Sequence, residues 1–146
     1  MADESLVHES RIAVPYKWSA GLTGSRFLKT AAAEHKFLGS RCGACKRISV
    51  PPLKACGRCL RDCEQGVEVG PGGTLMSFTQ AAPAGRPSER RLFALIRLDG
   101  ADTDILHVLE GASLPALKTG LRVKPVFADD PQAGVLAVLH FRPSKD

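Results

Sequence analysis

The stretch CGACKRISVPPLKACGRC, residues 42–59, decides the fold of this chain. It holds two Cys-x2-Cys pairs, Cys42 with Cys45 and Cys56 with Cys59, and ten residues separate the pairs. Two residues between thiols allow one tight turn to direct both sulfurs at a common metal, and two such turns complete a tetrahedral shell of four sulfurs. The spacing therefore predicts a closed, structural zinc site.

The alternatives to zinc are an iron site with the same four sulfurs and a cluster without metal, because spacing does not separate zinc from iron. A catalytic zinc is disfavoured, since such sites keep a position open for water and recruit His or carboxylate ligands. Gly43 and Gly57 lie inside the two turns, where we expect positive φ and close backbone approach.

The charge of residues 41–61 matches this interpretation. Four thiolates and one Zn²⁺ carry a formal charge of about −2, which the surroundings must offset. The segment has no Asp or Glu and contains six cations: Arg41, Lys46, Arg47, Lys54, Arg58 and Arg61. The formal net charge of +5 and pI near 9.1 are thus partly explained by the ribbon, which weakens any inference of nucleic-acid binding.

Cys63 is the fifth cysteine and has no pairing partner in the array. We interpret it as a small buried or idle thiol just beyond the ribbon, with ligand exchange or catalysis as the alternatives. An odd cysteine count beside a metal array favours a reducing compartment over disulfides, and no apolar run of signal or membrane-spanning length is present. These features predict a cytoplasmic protein without membrane association.

The 146 residues suffice for one good core and a small satellite module. We expect an N-terminal arm over 1–22, a helix over 23–39 that is capped at Thr23 or Ser25 and stopped by Gly39, and a zinc ribbon over 40–64. The arm contains Tyr16 and Trp18, the only Tyr and the only Trp of the chain. They are candidate anchors for a partner's pocket, and packing on the chain's own domain is the alternative.

Residues 65–146 contain five to six short β signals separated by turn residues, which predicts a five-stranded OB-fold barrel. The segments expected to form strands are 66–69, 74–82, 92–98, 104–109, 121–128 and 134–141, with a short helix within 112–119. The turns expected between them are Gly70-Pro71-Gly72-Gly73, residues 99–102 and residues 129–132. The fold class is thus mainly β.

No catalytic motif is apparent in the sequence. Gly70-Pro71-Gly72-Gly73 lacks the Lys-Ser/Thr of a phosphate-binding loop and precedes a strand instead of a helix. The chain has no nucleophile elbow or His-Glu-x-x-His motif, and its four histidines do not cluster with nucleophiles. We expect no activity from the chain alone.

The ordered motifs nevertheless resemble a known family. Phe37-Leu38-Gly39, the four-cysteine array around Val50-Pro51-Pro52, and Gly72-Gly73-Thr74-Leu75 are similar to the zinc-ribbon/OB-fold family called domain of unknown function 35. The later Leu98-Asp99-Gly100, Leu109-Glu110-Gly111 and Phe141-x-Pro143 continue the match, which runs from about Phe27 to Pro143. All four zinc ligands of the family have matching cysteines.

The resemblance implies a rubredoxin-like zinc ribbon in a non-catalytic subunit that docks on an acyl-CoA enzyme. A thiolase that cleaves a bulky or aromatic 3-oxoacyl-CoA, such as benzoylsuccinyl-CoA in anaerobic aromatic degradation, is the expected partner, in a heterotetramer. An aldolase or a hydratase is the alternative. In some members of the family the ribbon docks on the catalytic subunit, while the barrel contacts acyl-CoA. The cations placed to meet its phosphates are Arg86, Arg90, Arg91 and Lys118, for which solvated loop charge is the competing interpretation.

Two functions of other classes compete with this one. A nucleic-acid-binding module is consistent with the high pI, yet only 5% of residues are aromatic, too few for a surface on which bases stack. A rubredoxin-like electron carrier would require iron in the sulfur site.

Overall fold

A computed structural model describes residues 7, 13–82, 84–130 and 134–144. The first residues of the predicted arm, 1–6 and 8–12, and the end of the turn predicted at 129–132 lie outside this range. The elements are α1 (Gly21–Glu34), β1 (Phe37–Cys42), β2 (Ile48–Ser49), β3 (Cys63–Val69), β4 (Gly73–Ala81), β5 (Arg91–Leu98), β6 (Asp104–Leu109), β7 (Arg122–Phe127) and β8 (Val138–Pro143). Short 3-10 helices occupy Leu114–Ala116 and Gly134–Leu136.

Helix α1 begins earlier than predicted. Neither Thr23 nor Ser25 caps it, because the N-cap is Ala20 and makes no side-chain cap hydrogen bond. The Gly21 backbone N–H instead donates to Ser19 Oγ at 3.1 Å. This places the hydroxyl of Ser19 where it satisfies one of the free N–H groups that open a helix.

The helix also ends earlier than predicted, at Glu34 and not at Gly39. His35 adopts the left-handed conformation, with φ 55°, which stops the helix. Residues 37–42, placed at the end of the predicted helix and the start of the ribbon, form β1 and pair antiparallel with β3 from Phe37↔Val69 to Cys42↔Cys63. A strand partner distant in sequence therefore overrides the local helical pattern.

The first sheet has the strand order β2-β1-β3 and carries the cysteine array. It extends the ribbon to Val69, past the predicted boundary at residue 64. Gly39 is needed in this sheet and does not end a helix. A Cβ at this position would lie only 3.0 Å from the Ser49 carbonyl oxygen of β2. The glycine lets β1 and β2 approach closely.

The second sheet is a closed five-stranded barrel with the order β4-β5-β6-β8-β7, which confirms the predicted OB-type barrel. Strands β6 and β8 form the parallel pair that closes it, through Leu109↔Phe141. The expected helix within 112–119 is only the 3-10 turn Leu114–Ala116. Gly73 is required at the start of β4, because a Cβ there would lie 2.7 Å from the Arg97 carbonyl oxygen of β5.

Ribbon and barrel share one hydrophobic core. Three buried residues of the ribbon, Phe37, Val50 and Val69, belong to the same cluster as the barrel residues Leu75, Ala94, Ile96, Leu98, Ala101, Leu109, Leu117, Val123 and Phe141. The ribbon and the barrel are therefore packed against each other as one unit and are not independent modules joined by a linker.

The turn between β5 and β6 also covers the outer edge of β2. The Ile48 N–H donates to Asp102 Oδ2 at 2.8 Å, and the Asp102 N–H donates back to the Ile48 carbonyl at 2.8 Å. Thr103 Oγ1 accepts from the Val50 N–H at 2.7 Å and donates to the Val50 carbonyl at 2.9 Å. Backbone groups that an edge strand would leave unpaired are thus satisfied by the barrel.

Candidate metal centre

The four predicted cysteines come together at one end of the ribbon sheet. The Sγ atoms of Cys42, Cys45, Cys56 and Cys59 all lie within 4.8 Å of one another. Cys42 Sγ is 3.3 Å from Cys59 Sγ, and Cys45 Sγ is 3.7 Å from Cys56 Sγ. Four sulfurs at about 2.3 Å from a tetrahedral Zn²⁺ would be about 3.8 Å apart, so the cluster has the size of a zinc site.

Two turns of the same design present these sulfurs. In the first, the Lys46 N–H donates to the Cys42 carbonyl at 3.0 Å and the Cys42 N–H donates to the Arg47 carbonyl at 2.9 Å. In the second, the Leu60 N–H donates to the Cys56 carbonyl at 2.9 Å and the Cys56 N–H donates to the Arg61 carbonyl at 2.8 Å. Each turn holds one Cys-x2-Cys pair in a fixed geometry.

The positive φ angles of these turns are not at the predicted glycines. Gly43 and Gly57 are absent from the residues of left-handed conformation, which in the two turns are Lys46 (φ 61°) and Leu60 (φ 55°). A Cβ at Gly57 would meet nothing within 4 Å, so close approach does not require that glycine either. The left-handed residue directly follows the second cysteine of each pair, so the unfavourable backbone conformation lies at Lys46 and Leu60 and not at a glycine.

Backbone N–H groups stabilise the thiolate form of the first cysteine in each pair. The Cys45 N–H donates to Cys42 Sγ at 3.4 Å and lowers the pKa of Cys42 to about 6, helped by the Cys59 side chain. The Arg58 N–H, also at 3.4 Å, is the main cause that lowers the pKa of Cys56. Both effects favour the ionised ligand that a metal binds.

Crowding has the opposite effect on Cys59. The neighbouring side chains of Cys42 and Cys56 raise the pKa of Cys59 to about 12. Sulfurs this close cannot all ionise without a cation among them, because each thiolate disfavours the next. The donor set therefore fits a divalent metal of the zinc type, and no His or carboxylate completes a more open shell within the described residues.

Cys63 lies next to this site but outside the four-sulfur cluster. Cys63 is half-buried, and its backbone lies opposite that of Cys42 in the β1–β3 strand pair. Its Sγ lies 3.9 Å from the Arg61 carbonyl oxygen. Burial is the main cause that raises the pKa of Cys63. It is accordingly a protonated neighbour and not an activated nucleophile.

The six cations of residues 41–61 belong to the segment that carries the four cysteines, and all six are exposed. Lys46 and Arg47 donate to backbone carbonyls, of Gly43 at 2.7 Å and Asp102 at 2.9 Å respectively. Leu60 is 82% exposed beside them. The cysteine-bearing segment therefore exposes positive charge together with the apolar Leu60.

The structure brings together only part of the predicted phosphate-binding set. Arg86 and Arg91 line a cavity of about 420 Å³ at the loop end of the β4–β5 hairpin, with Phe93 and with Glu89, whose carboxylate is 3.0 Å from Arg86. Arg90 is exposed in the same segment.

Lys118 lies at the other end of β4. The Gly120 N–H, two residues after it, donates to the Leu75 carbonyl at 2.8 Å, and Leu75 is six residues from Ala81 along β4. At about 3.3 Å per residue, roughly 20 Å separates the two ends. Lys118 therefore cannot meet the same phosphate as the three arginines.

Tyr16 and Trp18 do not pack on the chain's own domain. Their side chains are 75% and 65% exposed, and the surrounding residues 13–19 are exposed as well. Neither aromatic is thus buried in the monomer, and their role as anchors for a partner stays a prediction. No helix in the described part of the chain is long and apolar enough to cross a membrane.

Sequence reasoning missed Asp102 and Thr103, which hold β2 to the barrel. Their only signal was a turn between two predicted strands, and nothing local indicates that a turn will contact a ribbon more than fifty residues earlier in the chain. It likewise missed the exposed apolar Leu60.

Comparison with known proteins agrees with this geometry. Residues 29–64 match the family model of the ChsH2 rubredoxin-like zinc ribbon domain. A solved structure described as an Ltp2-ChsH2(DUF35) aldolase is 25% identical, with a TM-score of 0.58, over 82% of this chain and 93% of that chain. A DUF35-family protein of unknown function from Sulfolobus solfataricus is also 25% identical, with a TM-score of 0.62, over 86% of this chain and 87% of the other.

No curated protein sequence matches the chain significantly. The four-sulfur cluster lies within the matched ribbon domain, and both solved relatives extend the likeness over the barrel. We conclude that the chain carries a ChsH2-type rubredoxin-like zinc ribbon with a structural zinc site and that its resemblance to the DUF35 zinc-ribbon/OB-fold proteins is confirmed.

Proposed function

We propose that the chain is a non-catalytic, zinc-binding subunit that docks on and supports an acyl-CoA-processing enzyme. The observation that carries this proposal is a closed shell of four sulfurs that leaves no coordination position for a substrate. The fifth cysteine has a raised pKa, whereas a nucleophilic cysteine needs a lowered one. A chain with a closed metal site and no activated cysteine contributes a binding surface to the complex and not the catalytic groups.

The partner we propose first is a thiolase that cleaves a bulky or aromatic 3-oxoacyl-CoA, for example benzoylsuccinyl-CoA, in a heterotetramer. Exposed surface of two kinds supports docking: the aromatic arm with Tyr16 and Trp18, and the cationic ribbon end with Leu60. Exposed aromatic side chains are favoured anchors of protein interfaces. An odd number of cysteines beside a metal array favours a reducing compartment, so the cytoplasm is the location we propose for the complex.

An aldolase partner is the second candidate, and one observation favours it. The solved relative described as an Ltp2-ChsH2(DUF35) aldolase contains a DUF35 protein together with an enzyme of that class. The two partners predict different chemistry. Thiolysis consumes free CoA and yields two thioesters, whereas a retro-aldol cleavage yields one thioester and a free carbonyl compound without added CoA.

Arg86, Arg90 and Arg91 are the residues we propose to meet the phosphates of the acyl-CoA. Arg86 and Arg91 line the same 420 Å³ cavity, and Phe93 gives that cavity an aromatic face. Lys118 would have to contact a different part of the ligand or the partner, given its position at the far end of β4.

The test is to purify the chain from its native source and to identify the protein that elutes with it in fixed stoichiometry. The complex is then assayed for carbon–carbon cleavage of acyl-CoA with and without free CoA, and the isolated chain is assayed in parallel. We expect activity in the complex alone, dependent on CoA for a thiolase and independent of it for an aldolase. Turnover of a thioester by the isolated chain, or a stable partner that is not an acyl-CoA enzyme, would overturn the proposal.

A further inference from the structure

An apolar groove lies between α1 and the barrel, and none of the four metal-site cysteines lines it. It encloses a volume of about 150 Å³ between α1, β6 and residues 134–141. Its entrance lies beside Leu106 and Val135, which are 66% and 60% exposed. Among the residues that line it there is no Lys, Arg, Asp or Glu, and His107 is the only polar side chain.

Aromatic rings form the walls of this groove. Phe27 lies 6.4 Å from Phe37, Phe37 lies 6.2 Å from Phe141 in a stacked arrangement, and His107 meets Phe141 edge-on at 5.5 Å. Three of the six phenylalanines of a chain with only 5% aromatic residues are therefore gathered around one small cavity. Rings so arranged present both edges and faces to the cavity, which favours contact with a further aromatic ring.

His107 adds to the preference for a neutral occupant. Its side chain is half-buried, and desolvation by burial is the main cause that lowers its pKa. The imidazole is thus neutral at neutral pH and offers no cation to pair with a carboxylate. An anion that entered the groove would lose its hydration without gaining a charged partner.

We propose that this groove is a binding site for a neutral, monocyclic aromatic group. The size fits, because an apolar protein cavity of about 150 Å³ accommodates benzene. The inference rests on the residues of this chain alone and holds whether or not a catalytic partner is found.

The experiment uses the zinc-loaded full chain with methyl-labelled Leu, Ile and Val, titrated with benzyl alcohol and followed by NMR. We expect saturable ring-current shifts at the methyl groups of Ile105, Leu106 and Val135, which line the groove. Benzoate carries the same ring with a charge, and tert-butanol is neutral without a ring. We expect benzoate to bind at least tenfold more weakly than benzyl alcohol, and tert-butanol at least threefold more weakly.

Two tryptophan variants locate the site. Val135→Trp places an indole at the entrance, and Leu139→Trp is the matched control, since Leu139 is 51% exposed on β8 but does not line the groove. We expect affinity for benzyl alcohol to fall at least tenfold in the first and to stay within twofold in the second. If Val135→Trp perturbs the fold, Ala31→Leu fills the groove from the helix side instead.

Three results would overturn the inference. The first is the absence of saturable shifts in the wild-type chain, and the second is benzoate binding as tightly as benzyl alcohol. The third is a folded Val135→Trp or Ala31→Leu variant that binds benzyl alcohol like the wild type. Shifts confined to exposed methyl groups outside the groove, such as those of Leu53 and Leu60, would also overturn it.

Discussion

The cysteines of the ribbon divide into four that form the metal site and one, Cys63, that does not. Cys56 and Cys63 are seven positions apart and chemically identical, yet only Cys56 belongs to the four-sulfur cluster. The N–H of Arg58 lowers the pKa of Cys56, whereas burial raises that of Cys63. Backbone geometry and not residue type makes the difference.

We expect Cys56→Ala to lose zinc and to unfold the ribbon, while Cys63→Ala keeps zinc at one ion per chain. Binding of structural zinc contributes about 10 kcal/mol or more to folding in zinc-finger modules, which one missing ligand largely removes. Metal analysis and the amide NMR spectrum of the two variants measure this. A Cys56→Ala protein with full zinc content, or a Cys63→Ala protein without zinc, would contradict the assignment of ligands.

Trp18 belongs to the surface, and its contribution should appear in association and not in folding. Since 65% of the side chain is exposed, Trp18→Ala should change the free energy of unfolding by less than about 0.5 kcal/mol. An interface anchor of this type contributes about 2 kcal/mol or more to binding. Denaturant unfolding and titration against the co-purified enzyme separate the two quantities. A large loss of monomer stability with unaltered binding would assign Trp18 to the fold.

At the level of elements, the structure depends on contacts between segments that are distant in sequence. Residues 37–42 form a strand because β3 pairs with them, although the helical pattern of the preceding residues continues locally. The turn between β5 and β6 serves as the outer neighbour of β2. A two-residue strand such as Ile48–Ser49 gains much of its order from such a partner.

We therefore predict that Asp102→Ala loosens the ribbon edge, whereas Asp102→Asn preserves it. Asn keeps an oxygen that accepts from the Ile48 N–H, and Ala removes the acceptor, at a cost of about 1 kcal/mol. Hydrogen exchange of the Ile48 amide is the direct measurement and should accelerate in the Ala variant alone. Equal protection of that amide in both variants would show that the Asp102 side chain is dispensable.

At the scale of the whole molecule, the shared core makes the metal site part of the barrel's stability. Phe37 packs against Phe141 at 6.2 Å and against Phe127 at 5.5 Å, so a ribbon residue lies among the side chains of β7 and β8. Val50 and Val69 join the same cluster. A ribbon that loses its metal would expose apolar surface of the barrel.

Removal of zinc with a chelator should thus destabilise both modules together. We expect amides of β5 and β6 to lose hydrogen-exchange protection along with those of β1, and readdition of Zn²⁺ to restore both. The control is a chelator-treated sample saturated with excess Zn²⁺ from the start. Barrel amides that keep their full protection after the ribbon amides have exchanged would mean that the two modules fold independently.

The sequence by itself determined the features that depend on local spacing and alternation. Cys42, Cys45, Cys56 and Cys59 were predictable as one metal site, because short turns fix the directions of their sulfurs. The strands of the barrel were predictable from alternation and turn residues, and the structure closes five of them as expected.

Only the tertiary structure decided what depends on segments that meet through the fold. It ended α1 at Glu34, placed β3 in the ribbon sheet, and separated Lys118 from Arg86 and Arg91. It also gathered Phe27, Phe37, Phe141 and His107 around one groove. Spacing along a chain restricts neighbours within a few residues, whereas strand pairing and core packing bring together residues that no local pattern relates.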